Sequence, residues 1–315
     1  MFGRLEFNDH AEAYSSFLFG NTTVRQQVAP SGIFNNSYFT PLNNPFIGDA
    51  ARNNLIAQAE AAQAAGRLTD ANYVDVNGNG AVDAEARLRL TYARRTVELG
   101  ERSSTIKNNT YQLGLGVRGK IVEDWDYDVS YFRGQSSRSS ILAGYTNLVN
   151  VGNALDTTDG VTCANGDATC VPINLFGGFG TITPEAARYS SATALVDEVY
   201  TQNVSTASVS GLLSFLDHTP FGSRPIGVSF GAEKRREFGE FTPDECLRVA
   251  PTSCQGGAGG FSLPLAGGFN VTEFFTEAII PLADGLRFAD ALDLELGYRW
   301  SDYDPTGLNK TWKYG

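Results

Sequence analysis

Leu292-Asp293-Leu294-Glu295-Leu296-Gly297-Tyr298-Arg299-Trp300-Ser301 alternates apolar and polar residues almost without a break. Successive strand side chains point to opposite faces. Leu292, Leu294, Leu296, Tyr298 and Trp300 therefore share one face, and Asp293, Glu295, Gly297, Arg299 and Ser301 share the other. Such a strand meets an apolar medium on one side and water on the other. Its apolar face ends in Tyr and Trp, which suit a membrane interface. A single strand of this kind also fits a soluble sandwich, so repetition decides between them.

The pattern recurs along the chain. Leu113, Leu115 and Val117 alternate with Gln112, Gly114, Gly116 and Arg118. Tyr127, Val129 and Tyr131 alternate with Asp126, Asp128 and Ser130. Val228, Phe230 and Ala232 alternate with Gly227, Ser229, Gly231, Glu233 and Arg235, and Phe274, Ala278 and Ile280 oppose Glu273 and Glu277. Segments of about ten residues or more match the length a tilted strand needs to cross a bilayer. The expected lipid-facing set is Leu113, Leu115, Val117, Val228, Phe230, Leu294 and Leu296. The expected lumen-facing set is Arg118, Glu233, Arg235, Glu273, Glu277, Asp293, Glu295 and Arg299.

The 315 residues suffice for one large all-β unit. No window approaches the ~18–20 apolar residues of a spanning helix. A net charge of −11 argues against nucleic acid as a partner, which needs a basic footprint. Four cysteines form two close pairs, Cys163/Cys170 and Cys246/Cys254, in polar Gly-rich segments. Local pairs of this kind read as disulfides in an oxidising compartment, whereas zinc needs four ligands at ribbon or finger spacings.

Short connections are expected at 8–10, 122–125, 217–224 and 283–289, and long ones at 29–87, 138–198 and 240–268. Short turns on one side and long loops on the other mark outer-membrane barrels. The first long loop holds a predicted short helix over 49–68, with Leu55, Ile56, Ala59 and Ala62 as its stripe. The third strand is expected over 90–121, bending or protruding over 99–109. About nine spans result, an odd number where closed bacterial barrels are even, so the chain reads as part of a barrel.

Several stretches resemble TonB-dependent outer-membrane receptors. They are Arg94-Arg95-Thr96-Val97-Glu98-Leu99-Gly100-Glu101-Arg102, Cys170-Val171-Pro172-Ile173-Asn174-Leu175-Phe176-Gly177 with Pro184-Glu185-Ala186-Ala187-Arg188-Tyr189, Phe275-Thr276-Glu277-Ala278-Ile279-Ile280-Pro281-Leu282, and Gly297 to Asp304 with Lys310-Thr311-Trp312-Lys313-Tyr314. They spread over most of 90–315. The resemblance implies a barrel of about 22 strands around a plug. It also implies import of a scarce nutrient (ferric siderophore, cobalamin or oligosaccharide) powered through the TonB complex. Residues 1–315 would be part of that barrel wall, without plug, signal peptide, TonB box or closing C-terminal strand. The partners expected are outer-membrane lipid, lipopolysaccharide, TonB through the plug, and a small nutrient, in a Gram-negative outer membrane. A passive porin-like barrel and a soluble secreted all-β binding protein are the alternatives.

Little points to catalysis, and no enzyme is expected. His10 and His218 lie in predicted turns, and no nucleophile elbow occurs. Gly114-Leu115-Gly116-Val117-Arg118-Gly119-Lys120 imitates a phosphate loop, but its glycines fall inside a strand pattern rather than between strand and helix. Asp126/Asp128 and Glu273/Glu277 read as lumen carboxylates. Asp75, Asn77, Asn79 and Asp83 match the first positions of a calcium loop, with Gly80 at the sharp turn. Ala86 stands where a bidentate Glu is expected, and the same residues also suit an Asn/Gly turn closed by Asx hydrogen bonds. The basic run Lys234-Arg235-Arg236, near the outer end of a strand, suits an anionic ligand or lipopolysaccharide phosphate, or simply a solvated end.

Overall fold

The computed structural model describes residues 1–216, 224–248, 261–287 and 289–315. In chain order its strands are β1 (Phe2–Asn8), β2 (Ala11–Val28), β3 (Gly32–Pro41), β4 (Tyr73–Val74), β5 (Arg87–Arg95) and β6 (Arg102–Val122). There follow β7 (Trp125–Thr146), β8 (Ser191–Leu213), β9 (Ile226–Pro243), β10 (Leu265–Leu286), β11 (Ala289–Tyr303) and β12 (Gly307–Tyr314). Nine of them form one antiparallel meander, β1-β2-β6-β7-β8-β9-β10-β11-β12. It is an open sheet, with β1 and β12 at its edges. The remaining three make a small sheet, β3-β5-β4, inside the first long connection.

The expected strand over 90–121 is two strands. β5 belongs to the small sheet, and the wall resumes at β6 after a 3-10 turn, Val97–Leu99. Gly100 makes this corner at φ 83°, a conformation that costs glycine little. The buried Thr96 hydroxyl pins the corner through a 2.7 Å hydrogen bond to Thr146. The first long connection therefore runs to Arg102, beyond the expected 87, whereas the second and third are shorter than expected. β7 and β8 stay paired up to Thr146↔Ser191, and β9 and β10 up to Phe241↔Leu265. Here Ser137, Ser139, Arg138, Glu198 and Asp197 make both faces polar. The ladder continues where the hydropathy alternation stops.

The long connections are not bare loops. α1 (Asp49–Ala64), α2 (Leu148–Leu155) and α3 (Pro184–Tyr189) pack with the small sheet. Ile33, Val151, Leu155 and Ile173 are fully buried in one cluster. Leu42 and Leu88 are buried in a second, against Leu55, Ile56 and Ala59 of α1. This helix ends at Ala64, one turn before the expected 68. Asn147 caps α2 by accepting from Val149 and Asn150 N–H, and Thr183 caps α3 through Ala186 N–H. These caps satisfy orphan amides at the helix starts. Cys163 and Cys170 are bonded with Cα atoms 6.1 Å apart. Closing so short a ring restrains the unfolded chain by roughly 2–3 kcal/mol. Cys246 is also disulfide-bonded. Cys254, His218 and residues 217–223 of the expected 217–224 turn lie outside the described residues.

The large sheet has only a small core at its long-connection end, where Ala194 and Val196 of β8 pack on Leu247. Leu113, Leu115, Val117, Phe230 and Leu296 are 37–50% exposed, and Val228 and Leu294 are half-buried on the same face. Beyond its hydrogen-bonded neighbours the sheet meets β3 on β7 and a four-residue helix (Glu245–Arg248) on β8 and β9. The apolar face changes character at one level on each strand. Phe19 gives way to Asn21, Tyr111 to Asn109, Tyr131 to Arg133, Phe274 to Thr272, Trp300 to Asp302 and Trp312 to Lys310. Aromatic residues thus stand at the edge of the band, Phe274 beside Trp300 at 5.6 Å and Tyr298 beside Trp312 at 4.2 Å between ring centroids. Asn109 pairs with Ser137, yet the change on β7 falls at Arg133, nearer the short turns. Strands inclined to the band produce this drift.

Asp159 anchors the turn leading to the disulfide ring. It accepts from the backbone N–H of Thr162 and Val161, at 2.8 Å each, and from the Thr162 hydroxyl at 2.7 Å. These donors, Thr162 N–H foremost, hold its carboxyl well below the usual 3.8. A depressed folded pKa contributes stability above the unfolded value, lost as pH falls through the folded one. Amide exchange in 157–163 is therefore expected to accelerate progressively below about pH 4 relative to the rest of the cap. Asp159→Asn should accelerate it already at pH 7 and flatten the acid response. Unchanged protection in the variant would show that this carboxylate does not hold the turn.

Candidate functional site

Charged and constrained side chains collect in two places: the polar face of the large sheet, and the cap made by the long connections. On the sheet every residue expected on the polar face is found there. Arg118 pairs with Glu12 at 2.6 Å. Glu233 and Glu273 stand directly opposite each other on β9 and β10. Like charges in that register destabilise a sheet unless each has its own cation. Arg235 lies 3.8 Å from Glu233 and 3.3 Å from Glu237. Arg299 lies 3.3 Å from Glu273, which is 3% exposed and also accepts from Ser301 Oγ at 2.6 Å. Asp293 pairs with Arg224 at 2.6 Å and Glu295 with Lys313 at 3.0 Å. Glu277 faces Ser229 and Gly297 on the same side.

Two aromatic rings lie against this face over glycine. The Tyr14 ring covers Gly116, where a Cβ would stand 2.3 Å from Cζ. Its hydroxyl donates to Asp128 at 2.7 Å, and Arg118 sits 5.2 Å from the ring centroid. Phe275 covers Gly231 in the same way, with Arg299 5.1 Å from its centroid. Each unit joins an aromatic ring, a glycine on the neighbouring strand and an arginine. Aromatic cover of a strand glycine replaces the packing that the missing side chain forgoes. The glycines of 114–120 thus lie within β6. Sequence reading missed these units because pairing Tyr14 with Gly116 requires the register, with the first long connection lying between them in the chain.

In the cap, Arg94 and Glu98 form a 2.8 Å ion pair with side chains only 11% and 9% exposed. Arg94 donates further to the carbonyls of Asn174 (3.1 Å) and Gly178 (2.8 Å), and Glu98 accepts from Gly180 N–H at 2.7 Å. Two of the family-like stretches, 94–102 and 170–177, are therefore clamped together. Beside them Tyr92 meets Phe176 edge-on at 5.9 Å, and its hydroxyl is 2.7 Å from Thr40 Oγ1. Burial pushes the phenols of Tyr38 and Tyr92 up to about 12, so both stay neutral at physiological pH.

The Asp75 loop is closed by its own side chains. Asp75 accepts from Gly78 and Gly80 N–H at 2.8 Å each, Asn77 Oδ1 from Asn79 N–H, and Asn79 Oδ1 from Ala81 N–H. The Asn77 and Asn79 amides donate to Asp83, holding its carboxyl below the usual range, Asn77 most strongly. Tyr73 donates to the Ala81 carbonyl at 2.9 Å. The Asx turns of the second sequence reading are thus present. Among the described residues no three His, Cys, Asp or Glu side chains gather closely enough to hold a metal.

Alternation splits the basic run. Arg235 turns to the polar face and its glutamates, whereas Lys234 and Arg236 are exposed on the opposite side. His10 Nδ1 lies 2.8 Å from the Lys120 carbonyl, and Asp126 is 4.0 Å from Lys120, so both carry turn contacts.

Gly116→Val should displace the Tyr14 ring and destabilise the sheet by about 1–3 kcal/mol, the usual cost of overpacking. In a Tyr14→Ala background the same substitution should cost little, because the space is free. Urea unfolding of the four chains in detergent measures this, and additive losses would show that ring and glycine are not coupled. No family model matches this chain, and no curated protein matches it either.

Proposed function

We propose that the nine-stranded sheet is a stretch of outer-membrane barrel wall of the TonB-dependent receptor type, serving uptake of a scarce nutrient. The observation that carries the membrane reading is the exposed apolar band with aromatic edges on one face of a sheet whose other face is ion-paired. A soluble sandwich would cover that band with a second sheet. Lipid covers it without one, provided every backbone group within the band is paired inside the wall. The receptor type rests on the family-like stretches, two of which meet in the cap. A packed cap on long connections suits capture of a ferric siderophore, cobalamin or oligosaccharide, since binding residues concentrate on connections held by a rigid scaffold. The reading takes energy from the TonB complex through a plug.

Val129 and Ser130 are neighbours on opposite faces of β7. Val129→Arg puts a charge in the band at a cost of roughly 2–4 kcal/mol near a bilayer midplane. Ser130→Arg places it beside Asp128 and Glu233 on the polar face. Incorporation of the refolded chain into phosphatidylcholine vesicles should fall sharply for Val129→Arg and match the parent for Ser130→Arg. Equal incorporation of both would overturn the membrane reading, as would a parent chain that stays in solution without detergent.

A further inference from the structure

The apolar face carries a trough. In the row Val129–Ala207–Ala232–Phe274 two adjacent alanines lie between larger side chains. They floor two adjoining open hollows of about 760 and 680 Å³. Tyr131 and Val129 stand on one flank, and Phe274 and Trp300 on the other. Lys234 sits on the rim of the upper hollow, at the level where apolar residues give way to polar ones. Beyond it Arg133, Asn203 and Arg236 lie in one cross-strand row. Arg133 lies against the phenols of Tyr111 and Tyr131 at the band edge, and those hydroxyls donate to Gln135 at 3.1 Å and to Asn203 at 3.0 Å. From strand spacings, Arg133 and Arg236 are about 10 Å apart at Cα, and Lys234 is about 7 Å from Arg236. All three are exposed, and among the described residues none pairs with a carboxylate. The nearby Asp302 is separated from Lys234 by Thr272.

Every charge expected on the polar face except Glu277 and Asp128, the latter held by the Tyr14 hydroxyl, has an opposite partner within 4 Å, whereas among the described residues these three cations on the apolar side have none. An acyl chain fits a shallow trough walled by aromatic and aliphatic side chains. Phosphate fits a fork of two guanidinium groups and an ammonium at its upper end. The cations lie on the long-connection side, which is extracellular in the proposed reading. We propose that this trough and its basic rim bind a phosphorylated glycolipid of the outer leaflet, of the lipopolysaccharide class, with an acyl chain over Ala207 and Ala232 and a phosphate on Arg133, Lys234 and Arg236. The inference rests on the membrane reading above, and its test is separable from it.

The test uses the full chain folded in zwitterionic detergent and titrated with purified lipopolysaccharide, its dephosphorylated form, phosphatidylglycerol and inorganic phosphate, with binding read by native mass spectrometry. Lipopolysaccharide should bind in preference to the other three. Arg236→Gln, Lys234→Gln and Arg133→Gln should each lower its affinity about fivefold, in line with one surface cation apiece. Ala232→Leu, which fills the trough, should weaken lipopolysaccharide while leaving the cations in place. Retained heat-modifiable mobility identifies folded variants, and the single glutamine variants leave the trough untouched should Ala232→Leu fail to fold. Equal binding of dephosphorylated lipid or phosphatidylglycerol would overturn the proposal, as would glutamine variants with parental affinity. Incorporation into neutral phosphatidylcholine vesicles reports the membrane reading alone. A chain that enters them yet shows no phosphate preference defeats only the lipid site.

Discussion

The cross-strand hydrogen-bond ladder is the constraint on which the rest of this structure depends. It runs through eight antiparallel pairs with only four register shifts, at Glu6/Asn8, Lys120/Val122, Leu142/Tyr145 and Pro281/Ala283. A backbone paired this completely across the wall needs water only at its edges and ends. One face is therefore free to be apolar and exposed, and the other to be charged. Because the ladder rather than a packed interior holds the wall, hydrophobic burial is displaced into the cap. Ile33, Leu42, Val151, Leu155 and Ile173 are all buried there, whereas most of the wall's large apolar residues remain open, Val196 and Val271 being buried exceptions.

A one-sided wall has a packing problem on its polar face, where charges must sit in register with one another. Glu233 opposite Glu273 would be unfavourable alone. Arg235 and Arg299 resolve it from different strands, and each arginine also serves a second group, Glu237 and Phe275 respectively. The ring-over-glycine units work alongside. Tyr14 and Phe275 lie flat because Gly116 and Gly231 leave room, and lying flat presents a π-face to the arginine. Cation–π contacts at such sites contribute about 0.5–2 kcal/mol. The Tyr14–Asp128 hydrogen bond then ties β2 to β7 across β6.

The wall was legible from the sequence wherever one face is apolar, because a period of two is unambiguous there. Residues 292–301, 113–117 and 226–235 revealed both their strands and their faces. Legibility ended where both faces become polar. Nothing in Ser136-Ser137-Arg138-Ser139 distinguishes a strand from a loop, and its partners, Thr110 to Lys107 on one side and Tyr200 to Asp197 on the other, make it a strand. The cap was opaque for a different reason. β3, α2 and the stretch around Ile173 are short and share a core only through contacts distant in sequence, and in the cap the disulfide pair and the helix stripe over 49–68 were the signs of order. At the polar face the residue types were legible and their partners were not, since Arg118–Glu12 and Tyr14–Gly116 are separated by the first long connection.

The continuation of the wall beyond the apolar band explains how a cap and a wall become one body. β6, β7 and β8 run past Tyr111, Tyr131 and Ala207, polar on both faces around Asn108, Arg138 and Glu198, up to Arg102, Thr146 and Ser191. At that end Thr146 meets Thr96, Asn147 N–H donates to the Ser190 carbonyl, and Arg102 donates to the Ala29 carbonyl while standing 5.7 Å from the Tyr145 ring. Four chain segments that enter or leave the cap are thus fastened at one corner, two residues from Arg94–Glu98 on the Thr96 side. A shift of the clamp that holds 174–180 would act directly on the ends of β6, β7 and β8. Thr96 and Thr146 are buried and their hydroxyls bond each other, so removing either would leave the other unpaired, which costs more than the bond itself contributes. The corner thereby joins the cap's core to the wall's ladder, two parts built by different forces.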